Sequence, residues 1–216
     1  MSSFLYPSLG PVAGPEDVGP ECIEDVDFEE GGVVDELIAT VRETWTEAAV
    51  FDRRTLEDNA ERLDQAVDII RRRVADGGTI LTMGNGGSAS DADRLVRLLA
   101  GVAPARSLLD PAVLSALAND VGAARMFARQ VETYATARDV VVVFTTSGTS
   151  ANVIEAVAAA RQVGAGTIAF AGYGGAALAG SADVCLRVDS TSVHRIQEAQ
   201  GTLCDKLVAG LREAFA

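Results

Sequence analysis

The chain has 216 residues, with 31 Asp or Glu against 18 Lys or Arg and a net charge of −13. Its length suits one α/β domain with a fully buried sheet and is short for two; the absence of a clustered basic patch argues against nucleic acid, and no apolar run is long enough to span a bilayer. Cys22, Cys185 and Cys204 form no CxxC pair and the N-terminus lacks a basic-then-apolar leader, so the expected compartment is a reducing cytoplasm.

The charge is uneven. Residues 1–41 hold ten Asp or Glu and no Lys, Arg or His, which leaves only −3 for residues 42–216. Residues 1–32 also carry four of the six prolines, a mixture that buries little apolar surface, and they are expected to form an irregular acidic arm. Residues 33–216 are expected to form a single domain that includes N-terminal helices.

From Val34 the pattern turns helical. Leu37, Val41 and Trp45 are spaced by fours, a break is expected near Phe51-Asp52, and Leu56, Ala60, Leu63, Val67, Ile70 and Val74 then make one continuous apolar stripe. Asp76-Gly77-Gly78 ends it. Such a stripe needs a partner, either a second subunit or the chain's own sheet.

Beyond residue 78, apolar runs at 79–83, 107–109, 140–144, 167–171 and 184–188 alternate with expected helices at 89–101, 122–136, 151–163 and 193–215. A short turn or helix is expected at 175–180. Runs that are apolar on both faces and separated by helices predict a doubly wound, five-stranded parallel sheet covered on both sides. Ligands of such sheets bind beyond the carboxyl ends of the strands.

Two of those ends share a composition. Gly84-Asn85-Gly86-Gly87-Ser88 follows the first run, Thr145-Thr146-Ser147-Gly148-Thr149-Ser150 follows the third, and a helix is expected after each. Glycine allows close backbone approach, hydroxyls donate hydrogen bonds, and a helix N-terminus favours an anion. The first loop also fits a dinucleotide fingerprint (Gly84, Gly86, Ala89) with Asp110 as a candidate ribose acid, but that reading gives the hydroxyl loop no role. A glycine loop opposite a hydroxyl loop suits a phosphosugar.

The blocks "GNGGSASDA", "ALANDVGAARMFARQV", "TTSGTSANVIEAVAAAR", "AGYGGAALAGSADVCLRV" and "HRIQEAQ" resemble, in order and spacing, the sugar isomerase (SIS) domain family. The pattern is closest to the phosphoheptose isomerases, which act on sedoheptulose 7-phosphate, and to their replication-initiator-associating relatives. The resemblance covers about residues 35–216. It implies that Asn85, Gly86, Gly87, Ser88, Asn119, Asp120, Thr145, Thr146, Ser147, Ser150 and Gln197 bind a sugar phosphate. It further implies a homotetramer built around the N-terminal helices.

In the phosphoheptose isomerases a His and a Glu four residues apart follow the glycine loop, and the last helix adds a Gln and a His. These ligate zinc, and the Glu and the last His also move protons. The matching positions here are Arg94, Leu98, Gln197 and Asp205, so only the Gln is kept; His194 is the single histidine. No zinc and no other cofactor are expected. Three readings follow: a protein that binds a phosphosugar or sugar nucleotide without isomerising it, acting as a sensor, a regulator or the silent partner of an active paralogue; a metal-independent isomerase with rearranged groups, Asp205 in the catalytic position and Asp93, Asp120, His194 and Glu198 nearby; and a protein-interaction scaffold. Set against catalysis is a salt bridge from Asp205 to Lys206 or Arg94.

Overall fold

A computed structural model describes residues 32–216. The expected arm, Gly32 excepted, lies outside the described residues. By its contacts the chain divides into Met1–Trp45 and Thr46–Ala216. The described part of the first unit is helix, and Val34, Leu37, Val41 and Trp45 on it are exposed.

Helix α1 runs unbroken from Gly32 to Asp58, and α2 follows at Ala60–Ala75. The break therefore falls at Asn59 rather than near Phe51-Asp52. Buried Asn59 donates through Nδ2 to the carbonyls of Thr55 and Arg187, both at 2.8 Å, and its Oδ1 accepts from the Arg187 N–H at 2.8 Å. One amide thus pairs with both backbone groups of a residue 128 positions away, as a neighbouring strand would. Asn59→Ala leaves those groups unpaired and is expected to cost about 3 kcal/mol, a fall of roughly 10 °C in Tm on a thermal melt.

The strands are β1 (Ile80–Gly84), β2 (Ala105–Ser107), β3 (Val140–Thr145), β4 (Gly166–Ala171) and β5 (Val184–Arg187). They pair in parallel in the order β2-β1-β3-β4-β5, the five-stranded doubly wound sheet expected from the sequence. Alternate residues feed two core layers. Val140, Val142, Phe144, Ile168 and Phe170 meet α2, α3 (Gly87–Leu98) and α7 (Val193–Phe215), while Val141, Val143 and Ala169 meet α5 (Met126–Tyr134) and α6 (Ala151–Gln162). Phe144 and Phe170 stack at 4.4 Å between ring centroids.

The other differences lie at the edges. Strand β2 sits two residues earlier than the expected 107–109, because this edge strand is half-exposed and apolarity marks it poorly. Helix α4 (Pro111–Asp120) was not expected. Its start is Asp110, whose carboxylate accepts from the N–H groups of Ala112 (2.9 Å) and Val113 (3.0 Å), with Pro111 in the first turn. Asp110 is therefore a helix cap, which removes the acid on which the dinucleotide reading relied. The apolar stripe of α2 is met inside the chain, where Leu63, Ala66 and Ile70 are buried and the helix packs on α7, β4 and β5.

Candidate functional site

In this strand order, chain direction across the sheet reverses between β1 and β3. The carboxyl ends of those two strands flank the crevice where doubly wound sheets hold ligands. Both candidate loops open there. Asn85 and Asn152, the latter in the first turn of α6, exchange two amide hydrogen bonds of 2.9 Å and clamp one loop to the other.

The glycine loop turns at Gly86, whose φ of 55° only glycine adopts without strain. Gly87 then lies so close to α7 that a Cβ there would fall 1.8 Å from Nε2 of Gln197. The lack of a side chain is what lets the Gln197 amide rest on the start of α3. Ser88 is buried, while Asn85 and Gly86 are exposed.

The hydroxyl loop gathers three oxygens. Thr145 Oγ1 lies 3.5 Å from Ser147 Oγ and 3.4 Å from Ser150 Oγ, and the two serine oxygens are 3.5 Å apart. These distances exceed the usual O–H···O length of about 2.8 Å, so the hydroxyls converge without satisfying one another. The N–H groups of Gly148 and Thr149 reach Thr145 Oγ1 and Ser147 Oγ at 3.2 Å. Ser150 is the N-cap of α6 and makes no side-chain cap bond, so its hydroxyl remains with the cluster. Behind it, Gln200 donates to the Thr145 carbonyl at 3.1 Å and leaves its own buried Oε1 without a partner.

Asn119 and Asp120 are exposed at the C-terminal end of α4, Asn119 donates to the Asp120 carboxylate at 3.0 Å, and among the described residues neither hydrogen-bonds to the loops. Thr146 is half-buried next to the cluster. His194 is exposed in the first turn of α7, Asp93 is half-buried on α3, and Glu198 pairs with Arg195 at 3.0 Å.

Farther along the α3–α7 seam, Nη2 of Arg94 sits 2.7 and 2.8 Å from the two carboxylate oxygens of Asp205, and Nη1 donates to the Gly201 carbonyl at 3.1 Å. Of the two salt bridges weighed for Asp205, the structure forms the one with Arg94. Leu98 packs against the core. A zinc ion does not fit these side chains: a guanidinium occupies the seam, its neighbour is aliphatic, and no group of three or more His, Cys, Asp or Glu among the described residues could hold a metal.

Asp91, one turn above Arg94, has a buried Oδ2 with no partner. Burial pushes its carboxyl up to about 6 against the opposing pull of Arg94. The folded chain therefore holds more protons than the unfolded one between about pH 4 and 6, and stability falls as pH rises through that window. Asp91→Asn is expected to melt like the parent below pH 4 and above it at pH 7. Melting curves across that range check the sign.

Sequence reasoning passed over Asn152, Gln200 and Asp91. Asn152 and Gln200 are polar residues in regular helices, and nothing in their spacing marks them. Asp91 lies inside the glycine-loop block, but a lone acid on a helix carries no sign of its burial.

A five-stranded parallel sheet in this order, with paired glycine and hydroxyl loops at its switch point, defines a SIS-type α/β domain. The family model for the SIS domain matches residues 46–172, and the chain belongs to that family. Within it the chain is closely related to the phosphoheptose isomerases. It is 41% identical over 165 residues to that of Solidesulfovibrio magneticus (73% of this chain, 80% of the relative). It is 37% identical over 183 residues to that of Roseiflexus sp. (79% and 87%). The solved phosphoheptose isomerase of Neisseria gonorrhoeae superposes with a TM-score of 0.77 at 33% identity, covering 82% of this chain and 99% of that one.

Proposed function

We propose that the protein binds a sugar phosphate between the loops after β1 and β3 and does not carry out zinc-dependent isomerisation. The observation that carries the binding is the Thr145, Ser147 and Ser150 cluster: three hydroxyls too far apart to satisfy one another, at the N-terminus of α6. A phosphate placed there takes their hydrogen bonds and the favourable end of the helix. In this reading the Asn85–Asn152 pair, the Gln197 amide and Gly86, Gly87 and Ser88 face the polyol chain. Asn119 and Asp120 enter this reading only through the family pattern, as does assembly into a tetramer.

The absence of zinc chemistry rests on Arg94 and Asp205. Their ion pair joins the two helices that bridge through metal in the relatives' pattern, and it leaves Asp205 no lone acid–base role. The protein is then a sensor, a regulator or the silent partner of a paralogue. Thermal-shift screening against a panel of sugar phosphates tests the reading: stabilisation supports it, and no shift from any of them favours an interaction scaffold.

Asp91 favours a second reading, a metal-independent isomerase. A carboxyl that titrates near 6, with one buried oxygen unpartnered, is suited to moving a proton near neutral pH. Under that reading Asp91→Asn gains stability and loses all turnover, whereas under the first there is no turnover to lose.

A further inference from the structure

A cavity of about 480 Å³ lies between the α1–α2 junction and the carboxyl end of β5, and it shares no lining residue with the two loops. Arg54, Arg62 and Arg187 line it, together with Asp58 and Asp189. Arg54 reaches Asp58 only loosely, at 3.8 Å. Arg62 and Arg187 are half-buried, and neither forms an ion pair with any carboxylate among the described residues. Arg62 donates to the Asp58 main-chain carbonyl at 2.7 Å, and Arg187 meets the Cys185 thiol. Nε of Arg187 is buried and has no partner.

In a chain with 31 acids against 18 bases, carboxylates are abundant, and buried cations normally take one. Asp58 and Asp189 also line the cavity, but neither pairs with Arg62 or Arg187, so these two half-buried guanidiniums can take an anion from outside. Arg187 is also held in place. Asn59 fixes its backbone on both sides, and its stem lies so close to Gly175 that a Cβ there would fall 3.2 Å from Cγ. Gly174, at a φ of 67°, contributes no side chain to block the wall. A binding group fixed before the ligand arrives loses little entropy on binding.

The lining narrows the ligand. Arg62 and Arg187 come from two different elements and each presents a fork of N–H donors, and a phosphate group has enough acceptor oxygens to take both forks at once, where a carboxylate has only two. The volume admits an ester larger than the bare ion, and Asp58 and Asp189 suit hydroxyls on such an ester. We propose that this cavity is a second anion site, which takes a small phosphate-bearing molecule on Arg62 and Arg187 with Arg54 at the rim. It stands whether or not the β1 and β3 loops bind a sugar phosphate.

The test uses inorganic phosphate on the full chain. Arginines are modified with phenylglyoxal in saturating phosphate or in chloride at matched ionic strength, and mass spectrometry of the peptides gives the rate at each site. Phosphate is expected to slow modification of Arg62 roughly fivefold or more and to leave Arg71, on the outer face of α2, unchanged. Equal rates at Arg62 in the two salts overturn the proposal. Variants give an independent readout: phosphate still raises the Tm of Ser147→Trp, and adding Arg62→Gln weakens that response about tenfold. If the single variant no longer responds to phosphate, the binding belongs to the hydroxyl loop and the second site does not exist.

Discussion

Protein incubated with sedoheptulose 7-phosphate is expected to yield no aldose–ketose product above the protein-free control, and added zinc is expected to change nothing. Aldose–ketose isomerisation needs a base to move a proton between neighbouring carbons and an acid or a metal to polarise the carbonyl. Under the proposed function, the positions that the resemblance assigns to these groups hold Arg94, Leu98 and Asp205, and the first and last are joined at 2.7 and 2.8 Å. Loss of positioned acid–base chemistry alone lowers a rate roughly 10²–10⁴-fold, and loss of the metal adds to that. The converse is a gain of metal. Arg94→His, Leu98→Glu and Asp205→His together, with Gln197 retained, are expected to bind about one zinc per chain after dialysis and metal analysis, where the parent binds none. Zinc-stimulated turnover by the unaltered protein overturns the proposed function.

The second large effect is expected at Ser147. Its hydroxyl is one of the three converging oxygens, and the next residue, Gly148, is wedged where a Cβ would fall 2.7 Å from that of Ala176. Under the proposed function the indole of Ser147→Trp takes the space of the anion. A sugar phosphate at a hundred times its Kd stabilises its binder by about 2.7 kcal/mol, and the variant is expected to lose all of that while melting near the parent's Tm without ligand. An unchanged shift in the variant moves the site elsewhere. Stabilisation by NAD but by no sugar phosphate revives the dinucleotide reading, against the use of Asp110 as the α4 cap.

Much of the fold was legible because its signals are local. Strands β1, β3 and β4 are buried on both faces, so each reads as a continuous apolar run. The edge elements were harder to read. Strand β2 alternates between half-burial and exposure, and α4 follows it on an Asp-Pro start that doubles as a plausible ligand signal. The break between α1 and α2 was misplaced for another reason: it is made by the Asn59 side chain reaching Arg187, and local propensity carries no trace of that contact.

The candidate site divides in the same way. Gly86 and the hydroxyls of residues 145–150 belong to single loops, where residue type already states the backbone freedom and the donors available. The sequence by itself therefore determined the parallel sheet, the two anion-favouring loops at its strand ends and the lack of histidines for zinc. Tertiary structure alone decided that Asp205 faces Arg94 across 111 residues, that Asn85 meets Asn152, that Asp91 hides an unpartnered oxygen, and that Arg62 and Arg187 share a cavity without a carboxylate partner. The physical reason is range. Each of these features depends on how one helix packs against another helix or a strand end, and a shift of one residue in that packing would send the same side chains to different partners.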